Sequence, residues 1–173
     1  MELSQRVEIP VEVASVWQSL NDPLILKQCL TGCEEFEPIG ESEFSLVILA
    51  KVGPVKARFK GEITMSDVNA PNSCTLSGGG KGGVAGFAKG SANVNLHQKP
   101  GSQEVTTIMT YSVKANVGGK LAQLGSRLVN GAARKMADEF FTSFVRVVCN
   151  DPDGKLEIIL ETIEAPAVTE GAK

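Results

Sequence analysis

The sequence predicts an α+β fold: a curved antiparallel sheet of seven strands with one long C-terminal helix across its concave face. Between Phe36 and Ala115 apolar residues recur at alternate positions, the period of strands with one face in a core and one in water. From Asn116 to Val148 the spacing changes to three and four. Leu121, Leu124, Gly125, Leu128, Val129, Ala132, Met136 and Phe140 share one helical face, and Gln123, Arg127, Asn130, Arg134 and Asp138 take the other. Such a helix, about 30 residues and roughly 45 Å long, needs a broad apolar surface beneath it. The third observation is size: 173 residues with 42% hydrophobic content suit one domain around one core.

The elements follow in order. Leu3, Gln5, Val7 and Ile9 alternate with Glu2, Ser4, Arg6 and Glu8 in a first strand that Pro10 ends. Val13, Val16, Trp17 and Leu20 form a short helical stripe. Asp22-Pro23 then gives an N-cap and first-turn proline to a second short helix ending near Thr31-Gly32. Phe36 to Ile39 is a strand; Phe44, Leu46, Ile48 and Ala50 line the inner face of the next. In the cleanest strand Val55, Ala57, Phe59, Gly61, Ile63 and Met65 alternate with Lys56, Arg58, Lys60, Glu62 and Thr64. The turn clusters Asn69-Ala70-Pro71-Asn72 and Lys99-Pro100-Gly101-Ser102 bracket two more strands, Cys74 to Gly80 and one with Gly90, Ala92, Val94 and Leu96 inward. Val105, Thr107, Met109, Tyr111, Val113 and Ala115 point inward from the seventh.

No stretch approaches the roughly 18 apolar residues of a membrane span, so the chain is expected to be soluble. Cys29, Cys33, Cys74 and Cys149 are unevenly spaced, which argues against a disulfide framework and for a reducing, cytoplasmic setting. The net charge of −3 is unevenly divided: from Asn150 onward six acids face two lysines, leaving the body slightly basic. Residues 1–149 read as the domain and 150–173 as an acidic tail, either flexible or partner-docking.

Small residues on the helix (Gly118, Gly119, Ala122, Gly125, Ala132) are expected to face small inward strand positions (Ala50, Ala57, Gly61, Gly78, Gly80, Gly90, Ala92, Ala115). Each missing leucine-sized side chain left as a void costs on the order of 2–5 kcal/mol, so an apolar ligand is the favoured filler. The alternative is that the glycines curve the sheet and admit the helix closely. The expected lining is Phe44, Leu46, Ile48, Phe59, Val94, Met109, Leu121, Leu124, Leu128 and Met136, with Gln5 and Tyr111 as polar handles.

Strand alternation puts the loops at Lys51–Val55, Gly78–Gly90 and Asn116–Lys120 at one end, with the Cys29–Cys33 segment. This expected mouth gathers Lys51, Lys56, Lys81, Lys89, Lys114 and Lys120 around an apolar tip of Val84 and Phe87. The set Phe87, Val84, Lys81, Lys89, Lys51 and Lys120 suits contact with an anionic membrane surface; a solvated loop with one buried Phe is the alternative. The glycine run Ser77 to Gly83 formally contains G-x-G-x-x-G but continues into a strand, and Lys81 precedes Gly82 rather than Ser or Thr, so it is not a nucleotide loop. The lone His97 points outward, which disfavours a metal site and a histidine-based triad. With no Asp, His or Lys expected inside, acid–base catalysis is also disfavoured, and no tightly bound cofactor is expected. Glu139, near the core side of the helix, is read as a rim carboxylate pairing with Lys135 or Arg6, with a buried acid as the alternative. The basic face at Lys56, Arg58 and Lys60 lacks exposed aromatics, so no nucleic acid is expected as a partner.

Several segments together resemble one family: Asn21-Asp22-Pro23, Gly32-Cys33-Glu34, Lys51-Val52-Gly53-Pro54-Val55-Lys56, Gly80-Lys81-Gly82-Gly83, Gly86 to Ala92, and Val117 to Arg127. Across residues 1–148 the chain resembles the family of the carbon monoxide dehydrogenase G subunit, within the START/Bet v 1-like (SRPBCC) helix-grip superfamily. Thr31 departs from the proline expected before Gly-Cys. The tail departs too, since some relatives continue to a membrane-anchoring segment whereas its longest apolar run here is Ile158-Ile159-Leu160. The resemblance implies a non-catalytic accessory protein linking a soluble molybdenum–copper carbon monoxide dehydrogenase complex to the membrane, with a cytoplasmic location peripheral on the inner face of the cell membrane. The expected ligand is an apolar, lipid-like small molecule, with an isoprenoid quinone as the hypothesis. A recruiter without ligand and a polyketide-cyclase-like enzyme are the alternatives on the same fold.

Overall fold

The computed structural model describes residues 1–164. Strand β1 (Glu2–Ile9) is followed by two short helices, α1 (Val13–Leu20) and α2 (Pro23–Cys29). A meander comes next: β2 (Cys33–Pro38), β3 (Glu43–Val52), β4 (Val55–Asn69), β5 (Ser73–Lys81), β6 (Phe87–Gln98) and β7 (Thr107–Gly118). Helices α3 (Lys120–Gln123) and α4 (Ser126–Val148) and a final strand β8 (Ile159–Thr162) complete the described residues. The sheet order is β2-β3-β4-β5-β6-β7-β1-β8, and every pairing is antiparallel. The expected α+β class, the two short helices after β1 and the C-terminal helix are all present.

Local chemistry sets the boundaries. The Asp22 carboxylate accepts from the Leu24 amide at 3.0 Å and Pro23 opens α2 without needing its missing N–H, while Asn21 Nδ2 donates to the Trp17 carbonyl at 2.8 Å and closes α1. The core lies where α1, α2 and the C-terminal half of α4 meet β1, β6 and β7, with Val7, Ile9, Val16 and Phe144 fully enclosed. Phe140 packs edge-on against Phe141 and stacks with Phe144, and Tyr111 stacks on Phe141 with ring centroids 4.9 Å apart.

Three expectations need correction. The long helix does not begin at Asn116: Asn116 and Gly118 end β7, paired with Lys89 and Phe87, and the helix breaks again at Gly125. Gly119 and Gly125 take φ of 69° and 88°, which glycine adopts without steric cost. Gly125 lies on the apolar stripe, so periodicity runs through a joint it cannot register. What remains, α4, has 23 residues and is about 34 Å long. Second, Val105 is exposed rather than inward, because β7 starts two residues later. Third, the sheet has an eighth strand, drawn from the tail.

That eighth strand is held by a turn as well as by pairing. The Asp151 carboxylate accepts from the Lys155 and Leu156 amides, both at 2.9 Å, and these bonds hold its pKa below the usual value. The chain then runs back so that Gln5 faces Thr162 and Val7 faces Leu160, with the Ile163 amide donating to the Ser4 carbonyl. Ile158 and Leu160 pack on the core, and Arg6 reaches Glu161 at 3.8 Å. Ile158 to Thr162 of the expected free or partner-docking tail therefore lie against the chain's own first strand; the tail beyond residue 164 lies outside the described residues.

Candidate functional site

The register assigns the concave face row by row. Nearest the β3–β4 hairpin lie Ile48 and Phe59; then Leu46, Gly61, Gly80 and Ala88; then Phe44, Ile63, Gly78, Gly90 and Ala115. Further down come Met65, Leu76, Ala92, Val113 and Leu3, and finally Cys74, Val94, Tyr111 and Gln5. Side chains are large at the closed end, small in the middle, and aromatic again at the hairpin end. The small middle rows leave a shallow, open hollow of about 280 Å³, lined almost wholly by apolar atoms from Ile63, Leu76, Gly78, Gly80, Ala88, Gly90, Ala92, Val113 and Ala115. All of its walls come from the sheet.

The expected lining residues divide. Val94 and Met109 belong to the closed core, and Leu121 is buried beside β7 and the glycine-rich turn. Phe44, Leu46, Ile48, Phe59 and Leu124 are half-buried. Leu128 and Met136 are 48% and 38% exposed, so the N-terminal half of α4 does not seal the concave face. The small residues of the helix therefore do not form a second wall of the hollow. Several inward glycines have a different role from the one that favoured a void. A Cβ on Gly61 would strike the Gly79 carbonyl, one on Gly78 the Glu62 carbonyl, and one on Gly90 the Lys114 carbonyl. Sharp coiling of the sheet brings neighbouring backbone into that space, so these glycines are needed for curvature.

Gln5 and Tyr111 do meet, but they are not free handles. The Tyr111 hydroxyl donates to Gln5 Oε1, and Gln5 Nε2 donates to Asp138 Oδ1 at 2.8 Å. Burial, with Asp138 nearby, pushes the Tyr111 phenol well above its ordinary pKa, so it stays a donor. The expected outward position of Asp138 is corrected, and with it the absence of an inward acid. The signal was present: Asp138 stands three residues before Phe141 and seven before Val145, on the buried stripe of the helix. Glu139 sits 3.9 Å from Lys135 as a rim pair. Burial pushes the Cys29 thiol up to about 11, opposite to what a nucleophile or metal ligand requires.

The loops expected at one end do meet there. Phe59 packs against Gly82 and Leu128 approaches Gly53 of the β3–β4 hairpin. Lys51, Lys81, Lys89 and Lys120 are all exposed, and Val84, in a 3-10 turn at 83–85, is 84% exposed at the tip. Phe87 is placed differently from Val84: its ring lies over Gly118 on the outer face of the sheet, half-exposed.

The sequence profile of the carbon monoxide dehydrogenase G subunit (CoxG) matches residues 6–149, nearly the whole of this architecture. The chain belongs to the CoxG family. A conserved protein from Geobacillus kaustophilus is 30% identical, the match covering 87% of this chain and 96% of that one, and superposes with a TM-score of 0.79. TTHA0849 from Thermus thermophilus (15% identity, 88% and 99% coverage, TM-score 0.59) shares the fold. So does the Zhui aromatase/cyclase from Streptomyces sp. R1128 (8% identity, 87% and 94% coverage, TM-score 0.60). At these identities the likeness of the last two concerns fold alone. No curated protein matches the sequence. Among the described residues of this CoxG family member, no helix is long and apolar enough to cross a membrane.

Proposed function

We propose that this protein is a non-catalytic accessory of a carbon monoxide dehydrogenase that holds an apolar, lipid-like molecule against its concave sheet and links the soluble enzyme to the membrane. The observation that carries the reading is the unsealed apolar face: half-buried Phe44, Leu46, Ile48 and Phe59 below, and Leu128 and Met136 left exposed above. Exposed side chains at the inward helix positions leave apolar area that a ligand can cover, at about 25 cal/mol per Å² removed from water. An isoprenoid quinone has the required length and apolarity and would carry electrons between the enzyme and the membrane pool. It is a carried ligand, with no tightly bound cofactor. Val84 at the tip, with Lys51 and Lys120 at the same end, suits a peripheral anionic membrane surface on the cytoplasmic side.

Native purification, solvent extraction and mass spectrometry test the reading. A stoichiometric isoprenoid quinone is the expected result, and Leu128→Asp should abolish its recovery. The curvature role of Gly61, Gly78 and Gly90 favours a second reading, a recruiter that binds enzyme and membrane without ligand. An empty extract together with no thermal stabilisation by added quinone would establish that alternative.

A further inference from the structure

The outer face of the sheet carries a cleft larger than the concave-face hollow. It is an open hollow of about 890 Å³ over β3, β4, β5 and the start of β6, and its side chains can be read from the register. One row runs Glu35, Val47, Lys60, Lys81, Phe87. The next runs Ser45, Glu62, Gly79, Lys89. Gly79 interrupts the second row because a Cβ there would sit 2.6 Å from the Ala88 carbonyl, leaving bare backbone as the cleft floor.

The charges are unusual for a structural face. Lys60 and Lys81 stand directly opposite each other on neighbouring strands, an arrangement that disfavours pairing. Among the described residues no carboxylate lies within ion-pair distance of Lys60, Lys81 or Lys89, although Arg58 on the same strand holds Glu34 through two bonds of 2.7 and 2.8 Å. Glu35 stands on β2 and Glu62 on β4 beside Lys60, while Lys81 and Lys89 lie on β5 and β6 beside the Phe87 ring. Val47 is nearly buried, so the floor between them is apolar as well as bare.

We infer that this outer cleft docks an extended acidic segment of a protein partner, carboxylates on Lys60, Lys81 and Lys89 and an apolar side chain against Phe87. A flat bilayer meets convex, protruding features; a recessed trough with an aromatic end and amines along one side fits a narrow chain. The assignment does not depend on what the concave face holds.

Two fluorescein-labelled decapeptides provide the test: one of Asp and Glu with a single Phe, and its Asn/Gln counterpart. Titration of the full chain at low salt should show saturable binding of the acidic peptide only, weakening as salt rises. Lys60→Glu exchanges repulsion from Lys81 for repulsion from Glu62, so it should leave the melting temperature nearly unchanged while weakening the peptide by about tenfold or more, a split that a purely structural lysine would not show. Lys89→Glu should weaken it similarly, and Val84→Ser should leave it unchanged. Absence of saturable binding, equal affinity for both peptides, or an unaltered affinity in Lys60→Glu would overturn the proposal. So would displacement of the peptide by phosphatidylglycerol vesicles with loss of vesicle binding in Lys60→Glu, which would make the cleft a lipid surface.

Discussion

Gln5 occupies a position where a strand residue ordinarily presents a hydrocarbon to the core. It is almost completely buried and joins a tyrosine of β7 to an aspartate of α4, so one amide fixes the helix to the sheet. Gln5→Leu keeps the volume but strands the buried Tyr111 hydroxyl, while half-buried Asp138 can turn to water; the expected loss is about 1–3 kcal/mol, measured by urea denaturation. The glycines separate by a similar physical test. Gly78→Ala drives a methyl into the Glu62 carbonyl and should cost about 1–3 kcal/mol. Gly131→Ala, inside α4 with nothing within 4 Å of the added carbon, should instead stabilise by about 0.4–1 kcal/mol. A neutral or stabilising Gly78→Ala would restore the view that this position is an unfilled space.

Among the elements, the turn before β8 carries a pH signature. The Asp151 pKa is depressed in the folded chain, so its contribution is complete above the unfolded value of about 3.9 and is lost as pH falls through the lower folded value. Asp151→Asn, with only one acceptor oxygen for two amides, should melt lower than the parent at neutral pH, and the gap should close in acid. β8 also marks where sequence reading stopped. The meander was legible because each strand has one wet face, which prints a period of two. The helix was legible as a face but not as an interval, since Gly125 fits the stripe while its backbone breaks it. Ile158 to Thr162 carry β-branched residues but too few to show a period, and what they pair with lies more than 150 positions away in the sequence. Asp138 was misplaced for the opposite reason: a charged residue was assigned to water, although its spacing from Phe141 and Val145 put it, half-buried, on the side that faces the sheet.

For the whole molecule, family membership and fold were legible together, because the matching segments span residues from both sides of the sheet. The candidate site was legible only in part. Composition shows where side chains are small, but whether the released volume is empty or filled by neighbouring backbone depends on how strongly the sheet coils, which is a property of all the strands at once. The position of β1 has a further consequence. The earliest of the described strands lies between the two latest, β7 and β8, so neither of its sheet partners exists until more than a hundred further residues have been made. On the ribosome its buried face, Leu3, Val7 and Ile9, must wait uncovered until β7 has emerged. Partners so distant in sequence predict slow folding and a nascent chain that engages chaperones early. A circular permutant opened between β1 and α1, in which β1 follows β8, should refold faster in stopped-flow measurements without gaining equilibrium stability.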